Sequence, residues 1–219
     1  MHETIKKLKH IEEIVKSKEK ILNLKKKPLI IAVSKTFMMD KIVPLINEGH
    51  KDFGENKVQE ALDKWSDVKS QNLDLRLHLL GGLQTNKVKF AVKIFDFIHS
   101  VDSKKLAKKI KDEQIKQNKK IKIFLQVNIG NENQKFGIPK NELDDLYLFC
   151  KEIDLDVIGL MCIPPIDLDP APFFKELKNL NDQLNLPELS MGMSSDYEKA
   201  IENYSTFLRI GSDIFGKRA

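Results

Sequence analysis

Lys35 closes the apolar run Leu29-Ile30-Ile31-Ala32-Val33-Ser34, and Arg209 lies inside Phe207-Leu208-Arg209-Ile210. A lysine at the end of an apolar strand can be partly desolvated. Desolvation frees its amine to attack a carbonyl and form a Schiff base. The plainer reading is a surface lysine whose stem lies along the strand end. An arginine inside an apolar strand needs a carboxylate, a phosphate or another acceptor beside it. A structural ion pair would satisfy it as well as a ligand would. Ser194, in Ser190-Met191-Gly192-Met193-Ser194-Ser195-Asp196, and the pair Gly211-Ser212 add small polar residues of the kind that cradle phosphate. Ser194 could equally be a plain helix N-cap. One amine, one cation and one phosphate cradle describe a site for a phosphorylated aldehyde. Pyridoxal 5′-phosphate (PLP) fits: a lysine aldimine, an arginine at the ring nitrogen and a phosphate anchor.

These residues need a scaffold that brings the ends of several strands together. Residues 3–24 carry Ile5, Leu8, Ile11, Val15, Ile21 and Leu22 at helical spacing, which predicts a long amphipathic helix ended by Lys25-Lys26-Lys27 and Pro28. Strands and helices alternate from Leu29 onward. Strands are expected at 29–33, 50–53, 75–80, 95–99, 121–127, 155–160, 188–190 and 206–210. The helices between them are expected at 40–48, 56–67, 85–93, 103–117, 140–151, 171–184 and 195–203. Continuous apolar strands such as 29–33 indicate burial on both faces and hence a parallel sheet. Eight strand–helix steps in this length predict an α/β fold: a single-domain (β/α)8 TIM barrel over residues 1–219, with residues 1–27 as an extra N-terminal helix packed on it. A doubly wound sheet would call for a glycine-rich first turn, and Ser34-Lys35-Thr36 has none. In a barrel the site lies at the C-terminal strand ends, where Lys35, Asn56, Met161, Ser194, Arg209, Gly211 and Ser212 all fall.

Composition narrows the class. The chain has 219 residues, 41% hydrophobic and 32% charged, which is a globular balance. Its 37 basic and 32 acidic residues are interspersed, with a net charge of only +5, so no nucleic-acid partner is expected. No apolar stretch is long enough for a membrane span, and Met1 to Lys7 contains no apolar signal core. Cys150 and Cys162 lie far from C-x-x-C spacing, which points to a reduced, cytoplasmic protein. The five histidines have no metal-ligand spacing, so no metal is expected.

Longer motifs recur in order. They are Ala32-Val33-Ser34-Lys35-Thr36, Phe53-Gly54-Glu55-Asn56-Lys57-Val58-Gln59-Glu60, and His78-Leu79-Leu80-Gly81-Gly82-Leu83-Gln84-Thr85-Asn86-Lys87. Then come His99-Ser100-Val101-Asp102, Gln126-Val127-Asn128-Ile129 with Lys135-Phe136-Gly137, Gly159-Leu160-Met161, Leu189 to Asp196, and Arg209 to Gly216. Over essentially its whole length the sequence resembles the PLP homeostasis protein family, whose barrel is like the N-terminal domain of alanine racemase. The resemblance implies Lys35 as the aldimine lysine and Arg209 facing the pyridine nitrogen. It implies phosphate held by Ser194, Gly211 and Ser212 with backbone help from Met193. Asn56, His78 and Met161 match motif positions that line the pocket; a buried barrel-layer histidine is the competing reading of His78.

An arginine at the ring nitrogen does not keep it protonated, which weakens PLP as an electron sink. Racemisation needs an acid/base group on each face of Cα. Alanine racemase takes its second base, a tyrosine, from a further domain. The sequence ends at Ala219 without one. Tyr147, Tyr197 and Tyr204 are read as helical residues rather than strand-end loop residues. The expectation is therefore a non-enzymatic, monomeric PLP carrier that passes cofactor to apo-enzymes. A weak PLP-dependent amino-acid racemase is the alternative, and a basic interaction protein the third reading. Lys135, in the loop after the fifth strand, is a candidate second attachment point for PLP during transfer.

Overall fold

A computed structural model describes residues 1–132 and 136–216. Eight parallel strands follow one another around a closed barrel: β1 (Leu29–Val33), β2 (Asp52–Glu55), β3 (Arg76–Leu79), β4 (Phe97–Val101), β5 (Lys122–Gln126), β6 (Val157–Met161), β7 (Glu188–Met193) and β8 (Phe207–Ile210). β8 pairs back onto β1 in register from Leu29↔Phe207 to Ala32↔Ile210. The helices are α1 (Glu3–Ile21), α2 (Met39–Asn47), α3 (Val58–Gln71), α4 (Val88–Ile94), α5 (Lys104–Lys116), α6 (Leu143–Glu152), α7 (Ala171–Gln183), α8 (Tyr197–Glu202) and α9 (Ser212–Phe215). α1 precedes the barrel and packs its apolar stripe on α2, α8 and α9. No helix among the described residues is long and apolar enough to cross a membrane.

Period-two alternation along the strands divides the buried residues into two cores. Outward residues such as Ile30, Ala32, Leu77, Leu79, Ile123 and Leu208 pack under the helices. Inward residues Ile31, Val33, Leu80, Phe97, Phe124, Met161 and Phe207 fill the barrel itself. Gly54 belongs to the inner set. A Cβ there would lie 2.6 Å from Leu80 and 2.9 Å from Ile31, so only glycine leaves room for their side chains.

Several boundaries differ from the sequence expectation for local reasons. α1 stops at Ile21 rather than residue 24, because Asn23 takes a left-handed conformation (φ 47°) and the N–H of Leu24 turns back to the carbonyl of Glu19. β2 starts at Asp52 rather than residue 50. Gly49 (φ 94°) ends α2, and the N–H of His50 is still bonded to the carbonyl of Leu45. β4 starts at Phe97 rather than residue 95, because the N–H of Phe95 caps α4 on Ala91. β7 runs on to Met193 instead of stopping at 190.

That extension matters for the site. Between β7 and β8 the pairing advances three residues on one strand and two on the other, from Ser190↔Phe207 to Met193↔Arg209. Gly192, at φ 90°, absorbs the extra residue as a bulge. The bulge brings Met193 and Ser194 to the rim of the barrel mouth.

Candidate functional site

A cavity of about 310 Å³ opens at the C-terminal ends of the strands, a size suited to a small cofactor. Lys35, Asn56, Met193, Ser194, Arg209, Gly211 and Ser212 all line it. Val33, Phe37, Leu80 and Ile163 supply its apolar walls. Seven of the nine residues expected from the sequence are thus brought together.

Lys35 sits in a tight turn directly after β1. The N–H of Phe37 closes the turn on the carbonyl of Ser34 at 3.1 Å, and Thr36 takes a left-handed φ of 66°. Charged groups outside the barrel clamp both of its neighbours. Ser34 Oγ donates to Glu55 Oε1 at 2.8 Å, and the Thr36 N–H donates to Glu60 Oε1 at 2.5 Å. Lys64 Nζ bridges the carbonyl of Ser34 (2.9 Å), Glu55 (3.0 Å) and Glu60 (3.0 Å). Glu55 is fully buried and also accepts from the indole N–H of Trp65 at 2.9 Å. Burial raises its pKa, while the bonds from Trp65, Lys64 and Ser34 pull it back. Lys35 itself stays half-buried at the cavity edge.

Arg209 enters the cavity from β8 and is 4% exposed. Its NH1 donates to Ser190 Oγ and its NH2 to the carbonyl of Cys162, both at 2.8 Å. Both partners are neutral. Among the described residues no carboxylate lies within ion-pair distance of it, so the structural ion pair is not what occupies this arginine. Burial lowers its pKa, but a guanidinium starts high enough to keep its charge. A buried cation with two neutral partners and donors to spare calls for an acceptor from the cavity.

Beside it, Ser194 Oγ accepts from the N–H groups of Gly211 and Asp213, each at 3.3 Å, and ties the loop after β7 to the turn after β8. The backbone N–H groups of Ser195 and Ser212 find no acceptor among the described residues, and both residues line the cavity. The N–H of Met193, by contrast, is taken by Asp196 Oδ1 at 2.6 Å, so Met193 offers its side chain rather than its amide. Ser195 was missed by sequence reasoning; its signal was the doubled serine at the end of the seventh strand.

His78 and Met161 do not line the cavity. Both are fully buried within the barrel. Each lies on the inward face of its strand but one layer too deep. The inward residues two positions on, Leu80 and Ile163, are the ones that reach the cavity wall. Two residues of strand correspond to roughly 6.6 Å of depth. None of Tyr147, Tyr197 and Tyr204 lines the cavity. Lys135 lies outside the described residues. No group of three or more His, Cys, Asp or Glu side chains suited to a metal occurs among the described residues.

A family model described as the alanine racemase N-terminal domain matches residues 7–219. The pyridoxal phosphate homeostasis protein of Aquifex aeolicus is 41% identical over 199 residues, covering 86% of each chain. The chain belongs to the pyridoxal phosphate homeostasis protein family. The human member of this family is 36% identical over 211 residues, 87% of this chain and 77% of its own. PipY of Synechococcus elongatus, solved with PLP bound, superposes with a TM-score of 0.81 at 33% identity, covering 93% of this chain and all of PipY. An alanine racemase of Clostridium difficile superposes with a TM-score of 0.75 at 14% identity; this chain covers 57% of it, and the likeness is one of fold.

Proposed function

We propose that this member of the family is a non-enzymatic carrier that holds PLP through Lys35 and releases it to apo-enzymes. One observation carries the reading. Among the described residues Arg209 is a buried cation with neutral protein partners, and it shares a small cavity with Lys35 and with two backbone donors, the N–H groups of Ser195 and Ser212, that find no acceptor there. That set matches the three parts of PLP: a ring nitrogen that accepts, an aldehyde, and a phosphate. PLP-bound PipY supports the choice of ligand.

Each residue has a distinct task. Lys35 would be the amine that holds the aldehyde end, reversibly and with water as the by-product. Arg209 would donate to the ring nitrogen and keep its own proton. Ser194, Ser195, Gly211 and Ser212 would hold the phosphate through backbone N–H groups and hydroxyls. Asn56 and the apolar walls would flank the ring. PLP supplies an electrophilic aldehyde and a conjugated ring; an unprotonated ring nitrogen limits its power to stabilise a carbanion.

The same residues argue against efficient racemisation. Among the described residues Lys35 is the one amine lining the cavity, and no tyrosine or histidine of theirs lines it to serve as a second base. We further propose a cytoplasmic, monomeric, single-domain protein, in keeping with two buried free thiols. The test is exchange of the Cα proton of alanine for deuterium by PLP-loaded protein. The carrier reading expects no exchange above free PLP. Robust exchange that vanishes in Lys35→Ala would establish the racemase instead.

A further inference from the structure

Beneath the cavity, five buried or half-buried side chains from five strands form one continuous polar chain through the barrel. Arg209 (β8) donates to Ser190 (β7) at 2.8 Å. Ser190 Oγ meets His99 Nδ1 (β4) at 2.8 Å, His99 Nε2 meets His78 Nδ1 (β3) at 3.1 Å, and His78 Nε2 meets Asp52 Oδ1 (β2) at 3.1 Å. Asp52 in turn pairs with Arg76 at the start of β3, on the opposite face of the barrel. There Asp52 and Arg76 line a second cavity, of about 350 Å³, under α1.

The direction of every bond can be worked out from its two ends. Arg209 can only donate, so Ser190 Oγ accepts from it, and the serine hydroxyl proton is left for His99 Nδ1. His99 is then protonated on Nε2 and donates to His78 Nδ1. His78 is likewise protonated on Nε2 and donates to the carboxylate of Asp52, which can only accept. The reverse arrangement leaves the serine proton without an acceptor and sets a bare imidazole nitrogen against a carboxylate. In this arrangement both imidazoles are neutral, and every donor points from the cavity toward the far face.

The chain is also insulated. Phe97 stacks on His78 and Phe124 on His99, each with ring centroids 4.3 Å apart, and Phe207 lies 5.9 to 6.0 Å from both. The charged groups that act on the two rings are Asp52, Asp96, Arg76 and Arg209, and His50 lies beside Asp52. A buried, one-way chain of hydrogen bonds polarises along its length and has little freedom to reorient.

We propose that Ser190, His99, His78 and Asp52 are positioning residues for Arg209, holding its guanidinium toward the cavity and coupling that cavity to the Asp52–Arg76 pair across the barrel. The proposal rests on the PLP reading of the cavity, but its first test does not. Histidine side-chain nitrogen NMR of the ligand-free protein should show both rings neutral and protonated on Nε2 from pH 6 to 8. A cationic ring, or a proton on Nδ1 of His99 or His78, would overturn the chain. Adding PLP should then move the nitrogen resonances of both histidines, although neither lines the cavity.

Asp52→Asn should weaken PLP binding about tenfold, a usual size for coupling between separate sites, and mix the ring tautomers. Arg76→Gln, at a half-exposed position that leaves the interior packing intact, should shift both readouts in the same direction by about twofold; it serves if Asp52→Asn does not fold. Altered tautomers with unchanged PLP affinity in the folded variants would overturn the coupling. Failure of the wild type to bind PLP would overturn the cofactor reading instead, and the ligand-free tautomers would still decide the chain.

Discussion

Lys35 and Arg209 are two cations lining one cavity, and the barrel holds them in opposite ways. Lys35 stands on a turn clamped from outside the barrel by charged groups, Glu55, Glu60 and Lys64, next to a threonine in a left-handed conformation. Arg209 stands on a regular strand and is held from inside by neutral groups, Ser190 and the carbonyl of Cys162. The difference suits the proposed roles. An amine proposed to make and break a covalent bond needs a defined anchor. An arginine that reads a ring nitrogen must keep its charge available, and a carboxylate partner would take it.

The largest effect should come from Lys35→Ala. PLP affinity should fall by about a hundredfold or more, with the loss of a covalent bond that noncovalent contacts cannot replace; equilibrium dialysis measures it. Arg209→Met should weaken PLP binding by roughly 10- to 100-fold yet leave the melting temperature within a few degrees of wild type. An apolar side chain there removes the desolvation cost of an unpaired buried cation, which offsets the two hydrogen bonds lost. A collapse of stability would show that Arg209 is structural and break the contrast with Lys35.

Acidification should act on the arginine side. Burial lowers the pKa of His78 and His99 below the ordinary 6.5. A lowered histidine pKa means that the unfolded chain binds protons first. Stability is then complete above about pH 6.5 and falls as the pH drops toward the folded-state values. Asp52, whose pKa is lowered by His78 and Arg76 against the opposing effect of burial, adds a further loss below its ordinary 3.8. Thermal melts should be level from pH 7.5 to about 6.5 and then fall toward pH 5, with a shallower fall in His99→Phe. The smallest effect belongs to the lysine side. Thr36→Gly relieves a left-handed threonine and should change stability by no more than about 1 kcal/mol, in the favourable direction or close to zero, while loosening the turn and lowering PLP affinity a few-fold.

The sequence made the barrel legible because strand after strand alternates with an amphipathic helix, and β1 appears with its boundaries unchanged. Strand starts were less legible. At β2 and β4 the preceding helix cap holds on to residues that look like strand, His50 on Leu45 and Phe95 on Ala91. The site was legible wherever a residue sits at a strand end, as Lys35, Ser194 and Gly211 do. Depth was not legible: His78 and Leu80 share a face, and only the closed barrel shows which layer meets the cavity. The chain from Arg209 to Asp52 was hidden for a stronger reason. Its members come from five strands, and no local pattern links Ser190 to His99 across 91 positions.

The central claim is that Lys35 holds PLP covalently. It is tested most directly by titrating purified protein with PLP, recording the visible spectrum, reducing with borohydride and mapping the labelled peptide, for wild type and Lys35→Ala in parallel. The account predicts a reducible band in the wild type, a pyridoxyl group on Lys35, and neither in the variant. A band that survives unchanged in Lys35→Ala, or no band in the wild type, would contradict it.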